Sequence, residues 1–306
     1  MKLRMNHKKG TSLAALGENG LLDLLTARWK TDARRVLTGV GDDCAVLRGE
    51  GKHHYLLFKT DAVVEGVHFR PREKPELIGR KALARALSDL AAMGATPLAA
   101  VITLGVAKNE SVRRLKGIYA GLGQIAKKYR VNLVGGETTR AKELFLNVAL
   151  LGECRGYAPV LRSGAKAGDL IAVTGRLGGT QSGKHLRFEP RLAEGQWLAR
   201  KKFATAMMDL SDGLGADLPR LARASGASFR LEAQAIPCSP NANLRAAIND
   251  GEDYELLFTA RPSRAEKLKK EWPFATPVHF IGVMGRRGAK SGFPTGTYGF
   301  DHIKQH

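Results

Sequence analysis

Eight acidic residues stand where an apolar run meets a turn: Asp43, Asp61, Asp89, Glu137, Asp209, Asp212 and the adjacent pair Glu252 and Asp253. Carboxylates are hard oxygen donors, and the sequence has no His/Cys set at zinc spacing. Oxygen-only clusters suit Mg²⁺, which keeps some of its waters and bridges to substrate phosphates. Several carboxylates in one cleft repel one another unless divalent cations neutralise them. Phosphoryl transfer fits this inventory, because it needs positioning and charge neutralisation rather than a covalent nucleophile.

The acidic pair Asp42–Asp43 follows Gly39-Val40-Gly41 and precedes Cys44-Ala45-Val46-Leu47. Residues 35–47 read as a strand, in which neighbouring side chains point to opposite faces, so one carboxylate is expected to aim at a cleft. The alternative is a solvated turn. A thiolate at Cys44 beside two carboxylates would have its pKa raised, which argues against a nucleophile. Cys44, Cys154 and Cys238 are too few and too scattered for a disulfide framework, and no CxxC pair exists. That fits a reducing compartment, and the expected location is cytoplasmic.

The elements that must position these residues show in the apolar periodicity. Helices are expected over residues 13–28, 75–93, 111–129, 190–201, 214–224 and 263–272. Strands are expected over 54–64, 98–106, 131–134, 144–152, 169–173, 203–209, 227–231, 254–259 and 278–284. Residues 75–93 carry the clearest helix, with Ala82, Leu83, Ala86, Leu87, Leu90 and Ala91 as its apolar stripe and Ser88 and Asp89 interrupting it. Gly135-Gly136-Glu137 and the glycine-rich 175–180 read as turns, and the second lacks the Lys-Ser/Thr of a P-loop. Alternating strands and helices imply an α/β or α+β fold. At 306 residues the chain suggests two domains, 1–153 and 154–306, divided where Gly, Pro and charged residues break the pattern.

No apolar run reaches the roughly 18 residues of a membrane span, and the basic 1–9 segment has no apolar core of a secretory signal. The formal charge of +20 invites an anionic partner, including nucleic acid. The Lys and Arg residues are spread along the whole chain, however, and ordered acidic motifs would repel phosphates without metal. No specific nucleic-acid partner and no membrane partner are expected.

Seven motifs occur in order: Gly41-Asp42-Asp43-Cys44-Ala45, Thr60-Asp61 through His68-Phe69, Leu87-Ser88-Asp89-Leu90-Ala91-Ala92-Met93-Gly94-Ala95, Gly135-Gly136-Glu137-Thr138-Thr139, Arg162-Ser163-Gly164-Ala165, Asp209-Leu210-Ser211-Asp212-Gly213-Leu214 and Gly251-Glu252-Asp253-Tyr254-Glu255-Leu256. Together they resemble the thiamine-monophosphate kinases, in the superfamily of aminoimidazole ribonucleotide synthetase, over residues 13–303. The resemblance implies ATP-dependent phosphorylation of thiamine monophosphate to thiamine diphosphate by direct transfer, assisted by several Mg²⁺ ions. It places metal ligands on Asp43, Asp61, Asp89, Asp209 and Asp212, with Thr60 beside them. Nucleotide contacts fall on Tyr119, Gly136, Arg162 and Ser211, and substrate contacts on His68 and Glu252. It further implies a homodimer joined through an N-terminal mixed sheet, and a C-terminal α/β domain covering the cleft.

Three departures stand out. Glu137 replaces the family's usual Asp, keeping the charge on an arm longer by one methylene, and is expected to reach a metal and the nucleotide. Residues 183–190 are shortened. Thr297 stands where an aromatic ring contact is common, with Tyr298 as a substitute. Other members of the superfamily fit less well: the hydrogenase-maturation carbamoyl dehydratase ends in a reactive cysteine, whereas this chain ends Lys304-Gln305-His306. Selenophosphate synthetase carries a reactive Cys or selenocysteine near its N-terminus, and no cysteine precedes Cys44 here.

Overall fold

The computed structural model describes residues 12–293; Thr297 and Tyr298 lie outside the described residues. The first sheet contains β1 (Val36–Thr38), β2 (Ala45–Arg48), β3 (His54–Val64), β4 (Thr96–Val106), β5 (Asn132–Arg140) and β6 (Phe145–Arg155), in the order β1-β2-β3-β6-β4-β5. Only the β4–β5 pair is parallel. The second sheet orders β7 (Leu170–Thr174), β8 (Ala204–Asp209), β9 (Ser228–Leu231), β10 (Leu256–Ala260) and β11 (Val278–Gly285) as β8-β10-β7-β11-β9, antiparallel throughout. The helices are α1 (Leu13–Thr26), α2 (Pro75–Ala92), α3 (Val112–Tyr129), α4 (Lys184–Arg187), α5 (Leu192–Arg200), α6 (Leu214–Ser225), α7 (Leu244–Asn249) and α8 (Pro262–Glu271). The chain is thus mixed α/β, as its periodicity implies.

α2 is the element on which both sheets close. It touches β3, β4 and β6 on one side, β8 and β10 on the other, and α3, α4 and α5 around its flanks. Pro75 starts it without sacrificing a needed backbone donor. Its buried residues Ile78, Leu83, Leu87 and Leu90 belong to a core that continues through Ala172, Met207 and Phe258 of the second sheet. The other face of that sheet, with Ile171, Val173 and Leu257, packs on Leu214, Leu218 and Leu221 of α6. α2 and α3 cross backbone to backbone: a Cβ at Gly79 would sit 1.8 Å from the Ile118 carbonyl oxygen, and one at Gly121 1.9 Å from that of Glu76. Larger residues would force the helices apart.

Three local expectations are corrected. Residues 35–47 are not one strand but a hairpin, β1 pairing antiparallel with β2 so that Val36 faces Leu47 and Thr38 faces Val46. Asp42 and Asp43 therefore sit in the connection, where strand alternation does not separate them. Gly135-Gly136-Glu137 is not a turn: β5 runs through it, because pairing with β4 supplies the backbone hydrogen bonds that two glycines weaken by propensity. β10 begins at Leu256 rather than Tyr254, since Glu252 and Tyr254 hold φ of 54° and 51°, which no strand contains. The short helices α4 and α7 fall below the length at which periodicity is informative.

Candidate active site

One polar stripe crosses the apolar surface of α2. Lys81, Arg85 and Asp89 recur every fourth residue and so share a helix face, with Ser88 beside Asp89. β3 adds Lys59 and Asp61, two residues apart and hence on one face of the sheet. Asp43 comes from the β1–β2 connection, and Asp209 is the last residue of β8. The result is three buried carboxylates, Asp43, Asp89 and Asp209, whose oxygens lie within 4.8 Å of one another.

Few cations balance them. Lys59 Nζ lies 3.1 Å from Asp89 Oδ2, and Arg162 Nη2 donates to Asp43 Oδ1 at 2.5 Å. The Arg162 backbone N–H also donates to Asp42, at 3.3 and 3.2 Å from its two oxygens, so both carboxylates of the pair meet the same residue. Ser88 Oγ donates to Asp209 Oδ2 at 2.6 Å. Asp43 Oδ2 is buried without a hydrogen-bond partner. Burial, and then the Asp43 carboxylate, push Asp209 up to about 7. Burial raises Asp89 well above the carboxylate range, with Asp61, Asp209 and Asp43 adding to it against the pull of Lys59. Burial also works on Asp61, but Lys59 and Arg85 outweigh it and hold that carboxyl low. The Cys44 thiol is pushed up by burial and by Asp89, so it is no nucleophile. Three hard-oxygen donors, one of them orphaned, fit a divalent cation.

Beside the aspartates a cavity of about 370 Å³ opens between the two sheets. His68 and Arg85 line it from the first half; His185, Ser211, Asp212 and Glu252 line it from the second. Arg85 links it to the carboxylates, with Nη2 3.9 Å from Asp61 Oδ1. Ser211 caps no helix; its carbonyl accepts from the Glu252 N–H at 2.7 Å, which fixes the strained 251–254 segment. Asp212 is turned to Arg220, and its N–H donates to Asp217. Asp253 is buried and structural, accepting from Lys184 and from the Gly178 N–H.

Other sequence-predicted residues are not brought to the aspartates. Thr60 points from the opposite face of β3 and donates to Asn147 on β6 at 2.9 Å, as alternation between Lys59 and Asp61 requires. Tyr119 is exposed on α3. Asp61 pairs with Val148, Val148 with Ile102, and Ile102 with Gly136. Gly136 therefore lies three strand spacings from Asp61, about 14 Å. Glu137, exposed on the same edge strand, cannot share an ion with Asp61 of its own chain.

Lys59, Lys81, Arg85 and His185 were not singled out by the motifs. Periodicity held the signal for three of them: four-residue spacing from Asp89 marks Arg85 and Lys81, and two-residue spacing from Asp61 marks Lys59. Nothing local marks His185.

Residues 41–154 match the family described as AIR synthase related protein, N-terminal domain. The thiamine-monophosphate kinase of Rhodopirellula baltica is 36% identical over 274 residues, covering 83% of this chain and 85% of that protein. The chain belongs to the thiamine-monophosphate kinase family. The thiamine-monophosphate kinase of Salmonella typhimurium is 37% identical over 275 residues, 80% of this chain and 83% of its own. A solved structure of AaThiL complexed with AMPPCP and TMP superposes with a TM-score of 0.82 at 29% identity, covering 96% of this chain and all of that one. This family member is a kinase, and its aspartates and cavity lie in the fold that AaThiL shares.

Proposed function

We propose that this chain transfers the γ-phosphoryl group of ATP to the phosphate oxygen of thiamine monophosphate, giving thiamine diphosphate and ADP. The observation that carries the reading is the buried trio Asp43, Asp89 and Asp209 set beside a cavity that holds His68 and Glu252. Asp43, Asp89 and Asp209 would hold Mg²⁺, with Asp61 on the adjoining strand, and the bound ion would neutralise phosphate charge; Asp212, turned to Arg220, is proposed to join them only with nucleotide bound. Arg162 and Ser211 orient the nucleotide, and Arg85 screens the two anionic reactants from each other. Glu252 and His68 seat the thiamine moiety. Location in the cytoplasm suits the three unpaired thiols, and among the described residues no helix is long and apolar enough to cross a membrane. Purified protein with ATP, Mg²⁺ and a panel of thiamine, thiamine monophosphate and aminoimidazole precursors tests the reading. Thiamine diphosphate should form from the monophosphate alone, and phosphorylation of another acceptor instead would overturn it.

Gly136 and Glu137 are proposed to meet the nucleotide away from the aspartates, on account of their offset of about 14 Å across the sheet, and Tyr119, exposed on α3, is proposed as a further nucleotide contact. Glu137→Gln should therefore raise KM for ATP several-fold and leave the Mg²⁺ concentration for half-maximal rate within twofold. A tenfold shift in that Mg²⁺ requirement would return Glu137 to an ion.

The face of the first sheet turned away from α2 exposes Phe58 (49%) on β3, Val101 (39%) on β4 and Val134 (64%) on the open edge strand β5. Exposed edges and apolar sheet faces are ordinarily covered. A homodimer through this sheet covers them, and light scattering at micromolar concentration should give twice the 33.1 kDa chain mass. A monomer mass would count against it.

A further inference from the structure

Lys81 has no exposed surface and no part in the phosphoryl transfer outlined above. Its ammonium has three donors and three acceptors meet it: the His68 carbonyl at 2.6 Å, His185 Nδ1 at 2.8 Å and Glu252 Oε1 at 2.6 Å. His68, His185 and Glu252 all line the cavity, so one buried side chain ties together its three walls: the loop after β3, α4 and the segment before β10. An ammonium only donates, so the 2.8 Å contact requires a lone pair on Nδ1. A neutral His185 then carries its proton on Nε2. Glu252 Oε2 lies 3.3 Å from the same Nδ1, drawn there by the shared ammonium. The left-handed backbone of Glu252 is a cost accepted at a position that the surroundings over-determine.

We infer that Lys81 is a positioning residue of the substrate pocket: it fixes His185 as the Nε2–H tautomer, so that His185 donates to an acceptor atom of the substrate beside the Glu252 carboxylate. Burial pushes the Lys81 ammonium down to about 8 against the pull of Glu252, and Glu252, against its burial, is held low by the positive charges of Lys81 and Arg85. The charged pair is the form present at neutral pH. The inference rests on the reading that this cavity takes thiamine monophosphate.

Two measurements test it. ¹⁵N spectra of the histidine-labelled, ligand-free protein, with His185→Asn assigning the ring, should show protonation at Nε2 and none at Nδ1. Steady-state kinetics then compare His185→Asn, which keeps an acceptor near the Nδ1 position but loses the Nε2 donor, with Lys81→Met. Each should raise KM for thiamine monophosphate at least tenfold, with KM for ATP within threefold. The double variant should be no more than threefold worse than the poorer single one, since the two act as a unit. Equal losses toward both substrates, or KM for thiamine monophosphate within threefold of wild type in His185→Asn, overturn the inference. A Lys81→Met chain that does not fold leaves His185→Asn and the spectra to decide. A ring protonated at Nδ1 in an active wild type overturns the inference alone; a wild type inactive on thiamine monophosphate overturns the substrate reading and, with it, the ligand assigned to His185.

Discussion

Asp209→Asn should lower turnover by about 10²–10³-fold while the protein melts at or above the wild-type temperature in divalent-free buffer. The two effects share one cause. Asp209 is 2% exposed and no ion pair is formed by it among the described residues; its neighbours include the carboxylates of Asp43 and Asp89. Ser88 Oγ donates to it, and an amide oxygen accepts that bond equally well. Removing the charge therefore relieves repulsion in the resting fold and takes away a donor from the divalent ion that would neutralise phosphate charge. Asp89→Asn should be as inactive but less stable, because it takes the carboxylate from Lys59. Calorimetry in EDTA together with a coupled ADP assay checks both. Near-normal turnover in Asp209→Asn would remove this residue from the site.

Gly136→Ala should cost about 3–5 kcal/mol of stability. A Cβ there would sit 1.8 Å from the Ile102 carbonyl oxygen on the adjacent strand, and φ is +155°. The obstacle is backbone, so no rotamer change relieves it; β5 must separate from β4 or twist. Gly135, at φ +147° with open space where its Cβ would stand, meets only the backbone strain, and Gly135→Ala should cost about 1–2 kcal/mol. Urea unfolding of the two variants separates them, and equal midpoints would show that the β4–β5 contact is softer than its geometry. The Gly-Gly pair thus has a reason in the sheet that is independent of any nucleotide contact.

Much of the site was legible in the sequence because its parts lie on regular elements. The α2 periodicity exposed Ser88 and Asp89 as intruders in an apolar helix, and β3 was bounded correctly from its own pattern. The order of the seven motifs named the family. Distances across the sheet were not legible. β6 inserts between β3 and β4, and that insertion, invisible to local spacing, carries Gly136 and Glu137 away from Asp61. Turn chemistry hid the β1–β2 hairpin, since six residues of Gly, Asp and small apolar side chains extend a strand pattern as readily as they break it. His185 was missed because its position depends on Lys81, more than a hundred residues earlier.

The aspartate trio also bears on how the chain is made. Asp43 and Asp89 belong to the part synthesised first, and Asp209 to the strand that packs against α2 from the other sheet. At ordinary translation rates Asp209 follows Asp43 by roughly 10–30 s. Through that interval a nascent chain holds two of the three carboxylates and lacks the third. A divalent ion that needed all three could not hold it in a half-built arrangement, so such an ion would bind only once the second sheet has docked.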